Sequence, residues 1–323
     1  MSVAMCTYNG ERFLTEQLQS LLAQQRLPDE VVICDDGSVD RTLEILDQFA
    51  QDASFPVRVI RNTENLGYAR NFQQAVALTS GDLIALADQD DFWYPQKLHR
   101  IEELFDDPAI GGVFSNGDLI DTASQPIAGN LWDRFQFSQK EQRRFYTDGF
   151  NIILRHNVVT GMAFAFRRSV REYLQWLPPF WPHDAWLGLL LVATGQLHVC
   201  PEHLVAYRTH DNQQIGVPQT VDDKQMVLRK DGIAAYRKRS REHNLRAYQK
   251  DVFLLEGLLE SPAATIVTPW RDEITGKIMH SQRGIAQLEN PFWKRWLSVL
   301  SHWSEYQRYA PTGISALVRD LVI

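Results

Sequence analysis

The chain has 323 residues, 44% of them apolar and 23% charged, and a formal net charge of -7. That length and apolar share suffice for one large core, or one core with a smaller appended unit, and exclude a disordered or fibrous chain. The negative balance argues against nonspecific nucleic-acid binding, and it requires any phosphate-bearing ligand to be met by local positive charge such as a cation.

The opening SVAMCTYNGERF enters an apolar strand and a Gly turn without a basic n-region, so no signal peptide is expected. The longest strongly apolar stretch, WLGLLLVATG (186–195), is about half of the roughly 20 residues needed to cross a bilayer. The expectation is a soluble, cytoplasmic protein, at most peripheral on the inner face of the cytoplasmic membrane. Cys6, Cys34 and Cys200 are odd in number, lie in apolar surroundings and lack metal-type spacing, and so read as reduced core residues.

Up to about residue 120 a unit repeats: an apolar or β-branched run, a polar turn, then a helical stretch. SVAMC (2–6) precedes ERFLTEQLQSLLAQ, in which Phe13, Leu14, Leu18, Leu21 and Leu22 share one helical face. EVVICDDGSVDRTLEILDQFA reads as a buried strand, a turn, Ser38 as N-cap and a second amphipathic helix. PVRVIRN, GYARNFQQAVALTSG and DLIALAD continue the alternation. The pattern predicts an α/β fold with a mostly parallel sheet covered on both faces, whose ligands bind beyond the carboxyl ends of the strands. Four polar clusters occupy those ends and are delivered to one crevice: Thr7-Tyr8-Asn9, Asp35 to Ser38, Asn62 to Asn65, and Asp88 to Asp91. Residues from about 111 to 215 mix strands and loops. From 221 onward the chain becomes long, charged and helical, rich in aromatics at Trp270, Phe292, Trp293, Trp296, Trp303, Tyr306 and Tyr309. The Gly and Pro of GVPQT place a boundary near 220, giving a catalytic region 1–220 and a helical region 221–323.

The acids at the end of LIALADQDDFWYPQKL pose the chemical question, because Asp88, Asp90 and Asp91 repel one another. An Asp-x-Asp at the mouth of a parallel sheet suits a hard divalent cation that shares its shell with substrate phosphates. The competing reading is a helix N-cap, with Asp90 or Asp91 capping a helix that begins near Pro95. Asp36 can accept a hydrogen bond from a pyrimidine N–H, or it can simply form the turn that Asp-Gly signals. Arg70 can reach phosphates or base, or lie on a solvated helix face. Asp184, between the aromatic loop PPFWP and a helix, suits a general base and equally a helix cap. The imidazole of His210, in YRTHDNQ, can join oxygen ligands around an ion of the Mn type.

In combination, TYNG, DDGSVDRT, the Asn-x-Gly-x-x-x-Asn of NLGYARN, ADQDDFWYPQKL and the His183-Asp184 pair resemble the family 2 glycosyltransferases of GT-A fold over roughly the first two thirds of the chain. GYARNF, DQDDFWYPQKL and YRTHDNQ are further similar to bacterial rhamnosyltransferase-like members that build surface polysaccharide. The resemblance implies a metal-dependent, inverting transfer of a sugar, L-rhamnose among the candidates, from a dTDP- or UDP-type donor to an acceptor hydroxyl. It implies that Thr7 and Asn9 line the nucleotide pocket, that Asp36 meets the base, and that Asp88 touches the ribose or a metal-bound water. Asp90, with His210, would hold Mn or Mg, and Asp184 would be the base. The full candidate substrate-binding set is Thr7, Tyr8, Asn9, Glu11, Asp36, Arg70, Asp88 and Trp186. The family more often has Glu-Asp where this chain has His183-Asp184.

A dinucleotide-dependent oxidoreductase needs a Gly-rich turn after the first strand, and a P-loop ATPase needs G-x-x-x-x-G-K-[ST]; the sequence has neither. A sugar-nucleotide nucleotidyltransferase lacks its triphosphate-holding loop here. A sugar-nucleotide-binding or scaffold subunit without turnover remains, if Asp184 is only a cap. AAYRKRSREHNLRAY (234–248) is a basic stretch on a helix, either a solvated face or a contact for anionic lipid or a lipid-linked acceptor. The later tryptophans are either core or membrane-interface residues. A homodimer is compatible with all of this.

Overall fold

The computed structural model describes residues 1–210, 221–290, 301–310 and 316, the side chains of 221–237 and 289 excepted. The GVPQT segment and Phe292, Trp293 and Trp296 lie outside the described residues. The chain forms two compact units, Met1–Asp133 with Val158–Gly216, and Arg134–Asn157 with Val217–Ile323.

The first unit is built on a nine-stranded sheet. Its parallel half comprises β1 (Ser2–Thr7), β2 (Glu30–Asp35), β3 (Val57–Arg61) and β4 (Leu83–Ala87), in the order β3-β2-β1-β4. Every residue of β1 and β2 is buried, as expected of strands covered on both faces. β3 closes this edge and is half-exposed, with Arg58 and Arg61 on it. The intervening helices are α1 (Leu14–Leu22), α2 (Thr42–Asp52) and α3 (Tyr68–Leu78). In α1, Leu14, Leu18 and Leu21 are buried, as is Phe13 just before it, whereas Leu22 is 37% exposed because it has rotated past the core-facing stripe.

Beyond β4 the sheet changes character. After the short β5 (Phe92–Trp93) and α4 (Lys97–Leu104), the chain adds β6 (Gly112–Ile120), β7 (Pro126–Asn130), the short α5 (Leu131–Arg134), β8 (Phe164–Arg167), α7 (His183–Ala193) and β9 (Leu197–Arg208). α6 (Gln139–Arg155) falls between β7 and β8 but belongs to the other unit. β8 runs antiparallel to both β4 and β6, β6 is parallel to β9, and β5 is antiparallel to β9. β6 and β9 therefore point the same way as β1–β4, and the fold is the mostly parallel α/β arrangement expected. The register pairs Thr7 with Asp35 and Asp35 with Arg61, and Met5 with Ala87, so the four polar clusters leave the sheet at one edge. Cys6 and Cys34 are neighbours in that register, and all three cysteines are buried and unpaired.

The second unit combines α6 with α8 (Val221–Glu260), α9 (Arg271–Glu289) and the helix Trp303–Tyr309. A boundary drawn only at 220 left 134–157 in the first unit. Tertiary packing puts it in the second, because its apolar face belongs there: Phe150 stacks on Trp270 at 4.4 Å. α6 opens with a Ser138/Glu141 capping box, and Glu141 also accepts from Arg155 and His156. In the same unit the buried Lys277 bonds the Tyr309 carbonyl at 2.9 Å and pairs with Asp251. Tyr306 and Tyr309 are core residues, while Trp303 is exposed. In the basic stretch Lys238, Arg239, Arg241 and Arg246 are exposed, and Asn244 and Tyr248 are buried.

Candidate active site

The ends of β1 and β2 are fastened to each other by carboxylates. Asp35, buried, accepts the Thr7 hydroxyl at 2.7 Å, the Ser38 hydroxyl at 2.6 Å and the Ser38 backbone N–H at 2.8 Å. Asp36, also buried, accepts from the backbone N–H groups of Leu66 (2.8 Å) and Gly67 (2.9 Å) and from the Asn62 amide at 2.9 Å. It thereby holds the loop after β3, with one lone-pair direction left over. Asn9, at φ +48°, accepts the Val39 N–H on its side-chain oxygen, and its own N–H donates to Ser38. Glu11 accepts the Arg41 N–H. Asp40 accepts the Thr42 N–H and hydroxyl. Ser38 is therefore not the cap of α2: its hydroxyl is used by Asp35 and Asn9, and Asp40 serves the first turn instead.

The end of β4 differs. Asp88 is half-buried, and burial, then Asp90 and Asp184, push its carboxyl up to about 8 against the pull of Lys97. Asp91 is fully buried. Burial, then Asp90 and Asp88, hold its carboxyl well above the ordinary range; one oxygen accepts the Arg208 N–H at 2.9 Å and the other has no partner. Neither Asp90 nor Asp91 caps α4, whose flanking residue is Gln96. The Asp90 carboxylate instead meets His210 Nε2 at 2.8 Å.

Two buried cations support this turn. Lys97 lies with its ammonium over the Trp93 ring at 3.6 Å and donates to the Met162 carbonyl; burial pulls its proton affinity well down, while Asp91 and Asp88 raise it. The Arg208 guanidinium, fully buried, donates to the Asp90 carbonyl (2.7 Å), the Asp121 carbonyl (3.1 Å), Ser124 (2.8 Å) and Glu16 (2.6 Å). That set pins the backbone of the acidic turn to α1, β9 and the β6–β7 loop. Gln89 links the turn to β1: its side chain accepts the Tyr8 N–H and donates to the Tyr8 carbonyl. A Cβ on Gly10 would fall 2.4 Å from the Gln89 oxygen, so any larger residue there would push Gln89 off Tyr8.

α7 brings in the remaining acid. Asp184 stands in its first turn, one oxygen accepting the Ala185 N–H at 2.7 Å and the other the Gly161 N–H at 2.9 Å. Gly161 lies between the acids: the position its missing Cβ would take is 3.8 Å from Asp184 Oδ2 and 3.8 Å from Asp88 Oδ2. Asp88, Asp90 and Asp184 thus share one mouth of the sheet. Cys6 lies within electrostatic reach of both Asp88 and Asp36; burial, Cys34 and these two acids all push its thiol up.

Some anticipated residues are placed otherwise. Trp186 is fully buried, with its indole N–H on the Tyr173 carbonyl at 2.8 Å and its ring edge-on to Trp181, so it is a packing residue and not a substrate contact. The Thr7 side chain is buried and committed to Asp35, and its carbonyl accepts the Asp36 N–H at 2.8 Å. Tyr8 and Arg70 are exposed. Lys97, Gln89 and Arg208 fall inside the motifs DQDDFWYPQKL and YRTHDNQ without any sign of their roles in the sequence, and Asp91 stands out there only as one of a cluster of acids. Gly161, in VVTGMAF, gave no signal, since a lone glycine in an apolar run has many explanations.

A twisted, mostly parallel sheet with an acidic turn after β4 and an acid on a helix N-terminus beyond β8 defines the GT-A class of α/β fold. The chain belongs to the Glycosyl transferase family 2, whose profile matches residues 2–174. It is 35% identical over 226 residues to the dTDP-rhamnosyl transferase RfbG of Shigella flexneri, covering 66% of this chain and 73% of that one. It is 30% identical over 223 residues to an uncharacterized glycosyltransferase of Nostoc, where the match spans 65% of each chain. Among solved structures, Staphylococcus aureus TarS 1-349 in complex with UDP-GlcNAc superposes with a TM-score of 0.55 at 15% identity, over 95% of this chain and 81% of that one. The mannosyltransferase PcManGT of Pyrobaculum calidifontis, in complex with GDP-Man and Mn2+, gives 0.51 at 17% identity, over 99% and 85%. These two likenesses concern the fold. No described helix is long and apolar enough to cross a membrane.

Proposed function

We propose that the protein transfers a sugar, with inversion, from a nucleoside diphosphate to an acceptor hydroxyl of a surface polysaccharide or lipid-linked glycan. The convergence of Asp88 and Asp184 on the gap at Gly161, with Asp90 beside them, carries this reading. Asp184 is the base. Backbone N–H groups of Ala185 and Gly161 orient its two oxygens, leaving lone pairs free to take the acceptor proton as the hydroxyl attacks the anomeric carbon. Holding acceptor and donor in line across this gap supplies much of the acceleration. The bond to the diphosphate breaks on the opposite face, and the leaving group takes the electron pair.

The residues present fit a divalent cation. Asp90 and His210 are a carboxylate and an imidazole 2.8 Å apart, and Mn-type ions accept such mixed donors. Among the described residues no three His, Cys, Asp or Glu side chains form a complete shell, as suits a site whose other ligands are donor phosphates. When bound, such an ion would offset the charge that grows on the departing diphosphate. The Shigella relative favours a dTDP-L-rhamnose donor.

A thermal-shift screen of dTDP-, UDP- and GDP-sugars with and without Mn2+ tests the reading. One nucleotide sugar is expected to raise Tm, and more strongly with the ion. Donor turnover should then vanish on EDTA treatment and in Asp90→Ala. Full turnover in both would remove the ion from the reaction; no stabilisation by any nucleotide sugar would remove the assignment.

A further inference from the structure

His183 is the first residue of α7 and only 5% exposed. Its ring stacks on Phe72, with centroids 4.1 Å apart and planes at 27°, and Tyr68 lies 6.3 Å away. Despite this burial neither ring nitrogen has a hydrogen-bond partner. Leaving a buried polar group unpaired costs about 1–3 kcal/mol, so an imidazole in this state needs an explanation. The surroundings supply one. The place a Gly161 Cβ would occupy is 3.3 Å from His183 Nε2, as well as 3.8 Å from Asp184 Oδ2 and from Asp88 Oδ2. An imidazole nitrogen and two carboxyl groups therefore converge on Gly161, where any side chain would press on the ring.

The geometry points to His183 as a specificity residue that takes a sugar hydroxyl beside Gly161 and the base Asp184, its nitrogens being the unmet polar atoms of this corner. Burial lowers the proton affinity of the ring, with Asp184 opposing, which favours the neutral imidazole with its one donor and one acceptor nitrogen. A hydroxyl is the matching group, being donor and acceptor together. A phosphate oxygen is disfavoured by the Asp184 carboxylate beside it. A site built to bond a hydroxyl discriminates strongly against a sugar lacking it, since the buried polar groups are then left unpaired. This inference rests on the glycosyltransferase reading and adds the residue that selects the sugar.

The test compares wild type, His183→Phe, His183→Gln and Gly161→Ala in binding dTDP-L-rhamnose and free dTDP with Mn2+, and UDP-GlcNAc with UDP and GDP-mannose with GDP as parallel pairs. The phenyl ring keeps the stack on Phe72 and removes both nitrogens, so His183→Phe should melt at a higher temperature than wild type. It should bind the preferred nucleotide sugar about tenfold more weakly and the free nucleotide unchanged. Gly161→Ala should do the same by pressing on the His183 ring, and His183→Gln should recover part of the loss. If nucleotide-sugar binding is unchanged but KM for a methyl glycoside acceptor rises about tenfold at constant kcat, the hydroxyl belongs to the acceptor. Unchanged affinity and unchanged KM in both His183→Phe and Gly161→Ala overturn the inference while the reading of the enzyme stands. Failure of wild type to bind any of these nucleotide sugars defeats that reading, and the role of His183 with it.

Discussion

Two groups of aspartates lie at the same edge of one sheet and are treated in opposite ways. Asp35, Asp36 and Asp40, after β2, are met by backbone N–H groups and hydroxyls. Burial works against Asp40, yet the Thr42 side chain and N–H, among other bonds, hold its carboxyl below the ordinary range. Asp88 and Asp91, after β4, are crowded by burial and by one another, and their carboxyls are driven up. Acids supplied with donors by the fold fasten loops. Acids gathered with too few donors keep their mutual repulsion, and their proton affinity rises.

The contrast can be pressed hardest at Asp184. Asp184→Asn should lower transfer by about 10²–10⁴-fold while nucleotide-sugar binding is retained, measured by turnover and by calorimetry on the same preparation. Loss of binding and turnover together would return Asp184 to the role of a helix cap. Next in size is Asp35→Ala, which strands the Thr7 and Ser38 donors and should cost about 2–4 kcal/mol in urea denaturation. A neutral result there would erase the distinction between the two groups.

A third effect has the opposite sign. The Asp88 carboxyl rises from 3.8 to about 8 on folding. Between those values the folded state keeps a proton that the unfolded state releases, so this group makes stability fall as pH rises through the window. In metal-free buffer Asp88→Asn should therefore be more stable than wild type, with the advantage growing toward pH 8 and vanishing near pH 4. A Tm difference that is flat across this range would contradict the crowding of Asp88.

Much of the site was legible because strand ends announce themselves. A run such as LIALA followed by DQDD places its acids at the mouth of a parallel sheet whatever the loops do. The roles within each cluster were not legible. DDGS and DQDD look alike as strings, and only the donors contributed by Leu66, Gly67, Asn62 and Thr7 separate one from the other. Trp186 adjoins the HDA turn in sequence, but successive helical residues point about 100° apart, and the ring turns into the core. The 134–157 segment carries a helical pattern that says nothing about which unit buries it.

Periodicity and the order of polar clusters settled the α/β class, the parallel half of the sheet and the edge that carries the acids, since these depend on local pattern and on the handedness of strand–helix–strand crossovers. Folding alone decided which carboxylates are satisfied. It set Lys97 and Arg208 beneath the acidic turn, and brought Gly161 and His183, from distant stretches, into contact. Those outcomes hang on hydrogen bonds and burial between residues far apart in the chain, which no reading of neighbours contains.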